Sequence, residues 1–126
     1  RIPACIATSS SPQRVAHTLE VLGLAGRFAG RVFTASQVSR GKPAPDLFLF
    51  AADRMGCAPA DALVIEDSGP GIAAALAAGI RVLHYAGGVH LRGNDPMTLP
   101  DGVRSFDNWG DFPHLLMDLQ EGTAIP

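Results

Sequence analysis

Apolar and polar positions fall in blocks along this chain, and the block lengths switch between those typical of strands and those typical of helices. Ile2 to Ala7 (IPACIA) is apolar throughout, as in a strand covered on both faces, and it stops at the polar cluster Thr8-Ser9-Ser10-Ser11. Ser11-Pro12 offers a side-chain cap and a first-turn proline, predicting a helix in which Val15, Leu19 and Leu22 recur near helical spacing until Gly23. Arg31 to Ala35 (RVFTA) predicts a second short strand. Asp46 to Met55 (DLFLFAADRM) has helical length, begins after Pro43 and Pro45 and ends at Gly56. Ala62 to Ile65 (ALVI) reads as a third buried strand running into Glu66-Asp67. From Gly71 the run IAAALAAG predicts an alanine-rich helix closed by Gly79, and Arg81 to Tyr85 (RVLHY) a fourth strand. Beyond Tyr85 the text turns loop-like, with GGVHLRGNDP and LPDG, before an apolar segment around Val103 to Phe106 and a terminal helix near Phe112 to Leu119. That tail reads as periphery. The alternation predicts an α/β fold with a mostly parallel sheet between two helical layers, in which ligands gather beyond the carboxyl ends of the strands.

Composition narrows the class. A chain of 126 residues suits one core, and no repeat or interdomain linker divides it. Charged residues make up 17%, with Lys+Arg 10 against Asp+Glu 12, so neither a disordered tail nor a nucleic-acid footprint is expected. Apolar runs are too short to cross a bilayer and the first residues lack a signal-peptide layout, which predicts a protein that neither enters nor spans a membrane. Cys5 and Cys57 alone make no disulfide framework; a reducing, cytoplasmic setting is expected.

Three clusters at strand exits carry chemistry. Thr8-Ser9-Ser10-Ser11 brings hydroxyls and backbone N–H groups to a helix start, which suits phosphate; the plainer alternative is that Ser11 caps the helix and the others solvate a turn. Lys42 lies in Arg40-Gly41-Lys42-Pro43-Ala44-Pro45-Asp46, where two prolines stiffen the loop and can aim an ammonium, against the alternative of a solvated lysine. Glu66-Asp67 ends an apolar strand, and a hard cation such as Mg²⁺ would relieve the repulsion between the two carboxylates; otherwise Asp67 or Ser68 caps the next helix. Gly69-Pro70-Gly71 falls short of either nucleotide fingerprint and reads as letting that helix start close to the sheet. Together the clusters point to phosphoryl transfer, which needs a cation and a lysine to neutralise charge, and donors to orient the phosphoryl oxygens. The histidines lack zinc-site spacing: His17, His84 and His114 read as structural or surface residues, and His90 as a surface residue that at most lines a substrate rim. Trp109 reads as a packing residue.

In their order and separations, Thr8 at the end of IPACIAT, Lys42 in GKPAPDLF and Glu66-Asp67 in VIEDSGPGI resemble the second, third and fourth motifs of haloacid dehalogenase-superfamily hydrolases. The similarity is closest to the sugar-phosphatase and β-phosphoglucomutase-like branch, and it runs to about Ala86. The resemblance implies a Rossmann-like three-layer core and a Mg²⁺-dependent phosphotransferase acting on a small phosphorylated metabolite. Thr8 and the backbone near Ser9 would hold the transferred phosphoryl group and Lys42 would neutralise it. Glu66 and Asp67 would belong to the metal site, with Asp67 the stronger direct ligand and Ser68 supporting it.

One departure is large. That family's first motif, a buried strand ending in Asp-x-Asp, supplies nucleophile and general acid/base, and no aspartate here follows a buried strand in that way. The resemblance therefore implies that residues 1–126 are the C-terminal portion of a core domain without its central first strand and helical cap, inactive alone, with the N-terminal part of the same protein as partner. The leading expectation is hydrolysis of a small phosphate monoester, such as a sugar phosphate, through an aspartyl-phosphate in that N-terminal part. A sugar phosphomutase is the enzymatic alternative. A receiver-type phosphoacceptor domain is another class, but it places its acids first and Lys-Pro last, the reverse of the order here; a catalytically silent binding module is a further reading.

Overall fold

The computed structural model describes residues 2–88 and 98–120. The strands are β1 (Ile6–Thr8), β2 (Val32–Thr34), β3 (Leu63–Glu66), β4 (Arg81–Tyr85) and β5 (Arg104–Phe106), and the helices α1 (Pro12–Val21), α2 (Asp46–Arg54), α3 (Gly69–Ala77) and α4 (Phe112–Gln120). Every strand pairing among the described residues is parallel, as the alternation of strands and helices requires. The sheet is divided: β1 pairs with β2, and β3-β4-β5 form a separate ladder. The division falls between the strand ending at Thr8 and the strand ending at Glu66.

Local chemistry accounts for the helix starts. The Ser11 hydroxyl accepts from Arg14 N at 3.2 Å and the Ser68 hydroxyl from Gly71 N at 3.2 Å, each followed by a first-turn proline that has no N–H to leave unpaired. Two expectations are corrected. The apolar run from Ile2 pairs only from Ile6 onward, because β2 offers just three residues to bond. The tail is more than periphery: Arg104–Phe106 extends the ladder, and α4 covers the adjoining sheet face.

β4 is the most enclosed strand, because alternate side chains enter different cores. Val82 packs with Ile72, Ala74, Ala75, Ala78 and Ile80 around α3. Leu83, pointing the other way, packs with Phe106, Leu115 and Leu119 from β5 and α4. Ala74 and Ala75 are fully buried, so α3 approaches the sheet closely. Under β1 and β2 a third cluster joins Phe33, Leu47 and Ala51, and α2 also packs on α3. Ala7 touches the clusters on both sides of the divide.

Leu83 is wholly buried, so Leu83→Ala leaves a cavity between β4 and α4. Its expected cost is about 2–5 kcal/mol, read as a lowered urea midpoint. Leu76→Ala, on the exposed side of α3, should shift the midpoint by no more than about 0.5 kcal/mol.

Candidate functional site

Lys42 reaches the divide from the loop between β2 and α2. Arg40 donates to the Asp46 carboxylate at 3.0 Å, stapling the loop to the first residue of α2, and Ala44 N donates to Gly41 O at 3.0 Å. The Arg40 side chain is 70% exposed, so this pair shapes the loop more than it stabilises the fold. Between the staples the Lys42 side chain turns inward, 10% exposed, with its ammonium 4.9 Å from the centre of the Phe48 ring.

The ammonium donates to the backbone carbonyl of Ala7 at 3.2 Å and to Glu66 Oε2 at 2.5 Å. One cation thus touches both halves of the sheet: the main chain of β1 beside Thr8 and the last side chain of β3. The other Glu66 oxygen, Oε1, accepts from Asp67 N at 3.1 Å, from Ser68 N at 3.4 Å and from the Ser68 hydroxyl at 3.3 Å. Both carboxylate oxygens are therefore engaged, and the group is 9% exposed. A buried ion pair of this kind is costly to break because the surviving charge loses its partner, by about 3–5 kcal/mol.

Gly71 makes room for this carboxylate. A Cβ built there would stand 2.0 Å from Glu66 Cδ and 2.2 Å from Oε2, whereas one at Gly69 would meet nothing within 4 Å. The reading of Gly69-Pro70-Gly71 as a close-packed helix start therefore applies to Gly71, and what approaches it is a side chain of the site. Sequence reasoning passed over Gly71, Phe48 and the Ala7 carbonyl as site components. Only the expectation of a helix start close to the sheet touched on the first, and nothing in the sequence points to a main-chain carbonyl.

The Thr8 hydroxyl accepts from Ser10 N at 3.1 Å, and Ser9 is exposed beside it. Ser11 serves α1 as its cap, as the plainer alternative had it. Asp67 is half-buried and follows Glu66 directly. Among the described residues no three or more of His, Cys, Asp and Glu gather as a metal cage. The donors present are oxygens, and Mg²⁺ takes oxygen ligands, commonly one or two protein carboxylates completed by water and phosphate. Asp67 fits that requirement, with Ser68 beside it. The Glu66 carboxylate, expected in the metal site, makes its contacts here with Lys42 and the Ser68 turn.

Among the histidines, His84 is buried on β4 as the register partner of Glu66, with Nδ1 3.0 Å from Ser105 Oγ; His17 and His114 are exposed. His90 lies outside the described residues. Trp109 packs on Tyr85, Phe106 and Phe112 but keeps half its surface exposed. No helix among the described residues is long and apolar enough to cross a membrane.

Residues 1–79 match the family model described as haloacid dehalogenase-like hydrolase. A probable pseudouridine-5'-phosphatase of Drosophila melanogaster is 43% identical over 88 residues, covering 66% of this chain and 38% of that protein. Hexitol phosphatase A of Escherichia coli (strain K12) is 41% identical over 83 residues, covering 65% of this chain and 37% of that protein. A solved HAD family hydrolase from Deinococcus radiodurans R1, with bound phosphate and sodium, superposes with a TM-score of 0.76 at 31% identity, over 99% of this chain and 55% of that one. The chain thus spans well under half the length of those two relatives.

Gly71→Ala forces a methyl group into the Glu66 carboxylate and should destabilise the fold by about 1–3 kcal/mol. Gly69→Ala is the control. Indistinguishable urea midpoints for the two variants would show that the carboxylate moves aside freely.

Proposed function

The chain belongs to the haloacid dehalogenase-like hydrolases, and from that premise we propose that it forms the phosphate- and cation-binding portion of a phosphatase acting on a small phosphate monoester, a sugar phosphate being the favoured class. The observation that carries this reading is the Lys42 ammonium, held between the Ala7 carbonyl and Glu66 at the exit of β1, one residue from Thr8. The names of the two phosphatase relatives support the substrate class.

In this reading the Thr8 hydroxyl and the N–H groups that follow it orient the phosphoryl oxygens, and Lys42 offsets their charge. Glu66 acts through Lys42: it holds the ammonium on the β1 side, where a long flexible side chain would otherwise sample many rotamers. Asp67, supported by Ser68, would hold Mg²⁺, which when bound neutralises further phosphoryl charge. The nucleophile is a carboxylate on a strand outside residues 1–126, forming an aspartyl-phosphate that water then cleaves. The edges of β1 and β3 that face away from β2 and β4 have no strand partner among the described residues, which supports a position for that strand between them.

The test is phosphate release by the full-length protein from a panel of sugar phosphates and other monoesters, with Mg²⁺ present. Asp67→Asn is expected to lower kcat by about 10²–10³ while the protein stays folded; near-normal turnover would remove Asp67 from the mechanism. Isomerised sugar phosphate without free phosphate would replace the phosphatase reading with a phosphomutase.

Lys42→Ala should lower both turnover and stability, because it strands the buried Glu66 charge. Adding Glu66→Gln to Lys42→Ala should restore part of the lost stability but none of the turnover. Recovery of both would show that Lys42 has only a structural role.

A further inference from the structure

The amino ends of β1 and β2, opposite the end that carries Thr8, hold a feature that the proposed chemistry does not use. Ile2, Pro3 and Ala4 lead into β1, and with Arg27, Phe28 and Arg31 they line a cleft of about 380 Å³. That lies within the roughly 300–1,000 Å³ of small-molecule sites. Main-chain bonds set its frame: Phe28 N donates to Leu24 O at 3.2 Å, Arg31 N to Phe28 O at 2.8 Å and Ile6 N to Arg31 O at 2.9 Å. The turn before β2 is thereby tied both to itself and to the start of β1. Between the two arginines Gly30, at a φ of 72°, makes a left-handed step that glycine takes without strain. No acidic residue lines the cleft. Arg40, Lys42, Arg54, Arg81 and Arg104 each meet a carboxylate, a carbonyl or an aromatic ring, whereas Arg27 and Arg31 have no ion pair or side-chain hydrogen bond among the described residues. Two guanidinium groups thus border one space with their charges uncompensated, beside an apolar wall in which Ile2 is 56% exposed.

We propose that this cleft binds a small molecule carrying a doubly charged phosphate or phosphonate group on an apolar body. The two guanidiniums, each a planar fork of donors, take the oxygens of the dianion, so that two positive charges meet two negative ones. Ile2, Pro3 and Phe28 cover the body and remove its apolar surface from water. A single carboxylate leaves one guanidinium without a partner, and inorganic phosphate leaves the apolar wall uncovered, so each binds more weakly than a molecule with both parts. The cleft lies at the other end of β1 from Thr8, so its occupant is a second ligand and not the phosphate monoester held beside Lys42.

The experiment titrates the full-length protein with phenylphosphonate, with Mg²⁺ chelated and at mildly alkaline pH, where the probe is doubly charged. It reads the heat of binding and the arginine Nε–H resonances, which Arg27→Gln and Arg31→Gln assign; both side chains are exposed, so the variants stay folded. Expected are shifts of the Arg27 and Arg31 resonances, binding about tenfold weaker in each single variant and lost in the double variant, and affinity that falls with added salt. Inorganic phosphate and benzoate should each bind more weakly than the probe. Absence of binding, or binding that the double variant retains, would overturn the proposal, and inorganic phosphate binding as tightly as the probe would overturn the ligand class. A shift of the Gly41 amide with both arginine resonances unmoved would place the probe beside Lys42 and overturn it as well. Because the probe has no ester bond to hydrolyse, the outcome does not depend on the phosphatase reading.

Discussion

The Lys42 ammonium lies where the sheet is divided, and its contacts with the Ala7 carbonyl and the Glu66 carboxylate are polar links between the two halves. Much of the local design serves that position. Arg40 and Asp46 pin the ends of the loop, Phe48 offers a ring face, Ser68 holds the far carboxylate oxygen, and Gly71 keeps its surface open. A charge pair this buried is a poor source of net stability, because desolvating both ions offsets most of their attraction. Its value is positional: it fixes an ammonium beside Thr8 at a strand exit.

Apolar packing supplies what the pair does not. α3 packs on both α2 and β4, and the two small alanines at its centre let it approach β4 closely. Ala7 contacts the clusters on either side of the divide. The two halves are thus joined by helix packing on one face and by Lys42 at the strand ends, while the edges of β1 and β3 have no strand neighbour among the described residues. Unpaired strand edges attract another strand.

The helices were legible because their signals are local. Ser11-Pro12 and Ser68 with Pro70 mark starts by hydrogen bonds over three residues, and Gly56 and Gly79 mark ends. The strand from Ile2 was overread, since hydrophobicity reports burial while strand length depends on a partner elsewhere in the chain. The tail was underread for the related reason that the short apolar segment ending at Phe106 becomes a strand only through pairing with β4.

For the site, the sequence by itself determined which side chains are present and which backbone elements deliver them: Thr8, Lys42, Glu66 and Asp67 each sit where a strand or a stiff loop ends. Only the tertiary structure decided which of them touch. The sequence does not show that the Glu66 carboxylate is bonded to a lysine 24 residues away, nor that this carboxylate fills the space left at Gly71. The physical reason is range. Caps and turns are set by bonds between neighbours in sequence, whereas the partner of a buried charge is set by which loops the packing of α2 and α3 brings together.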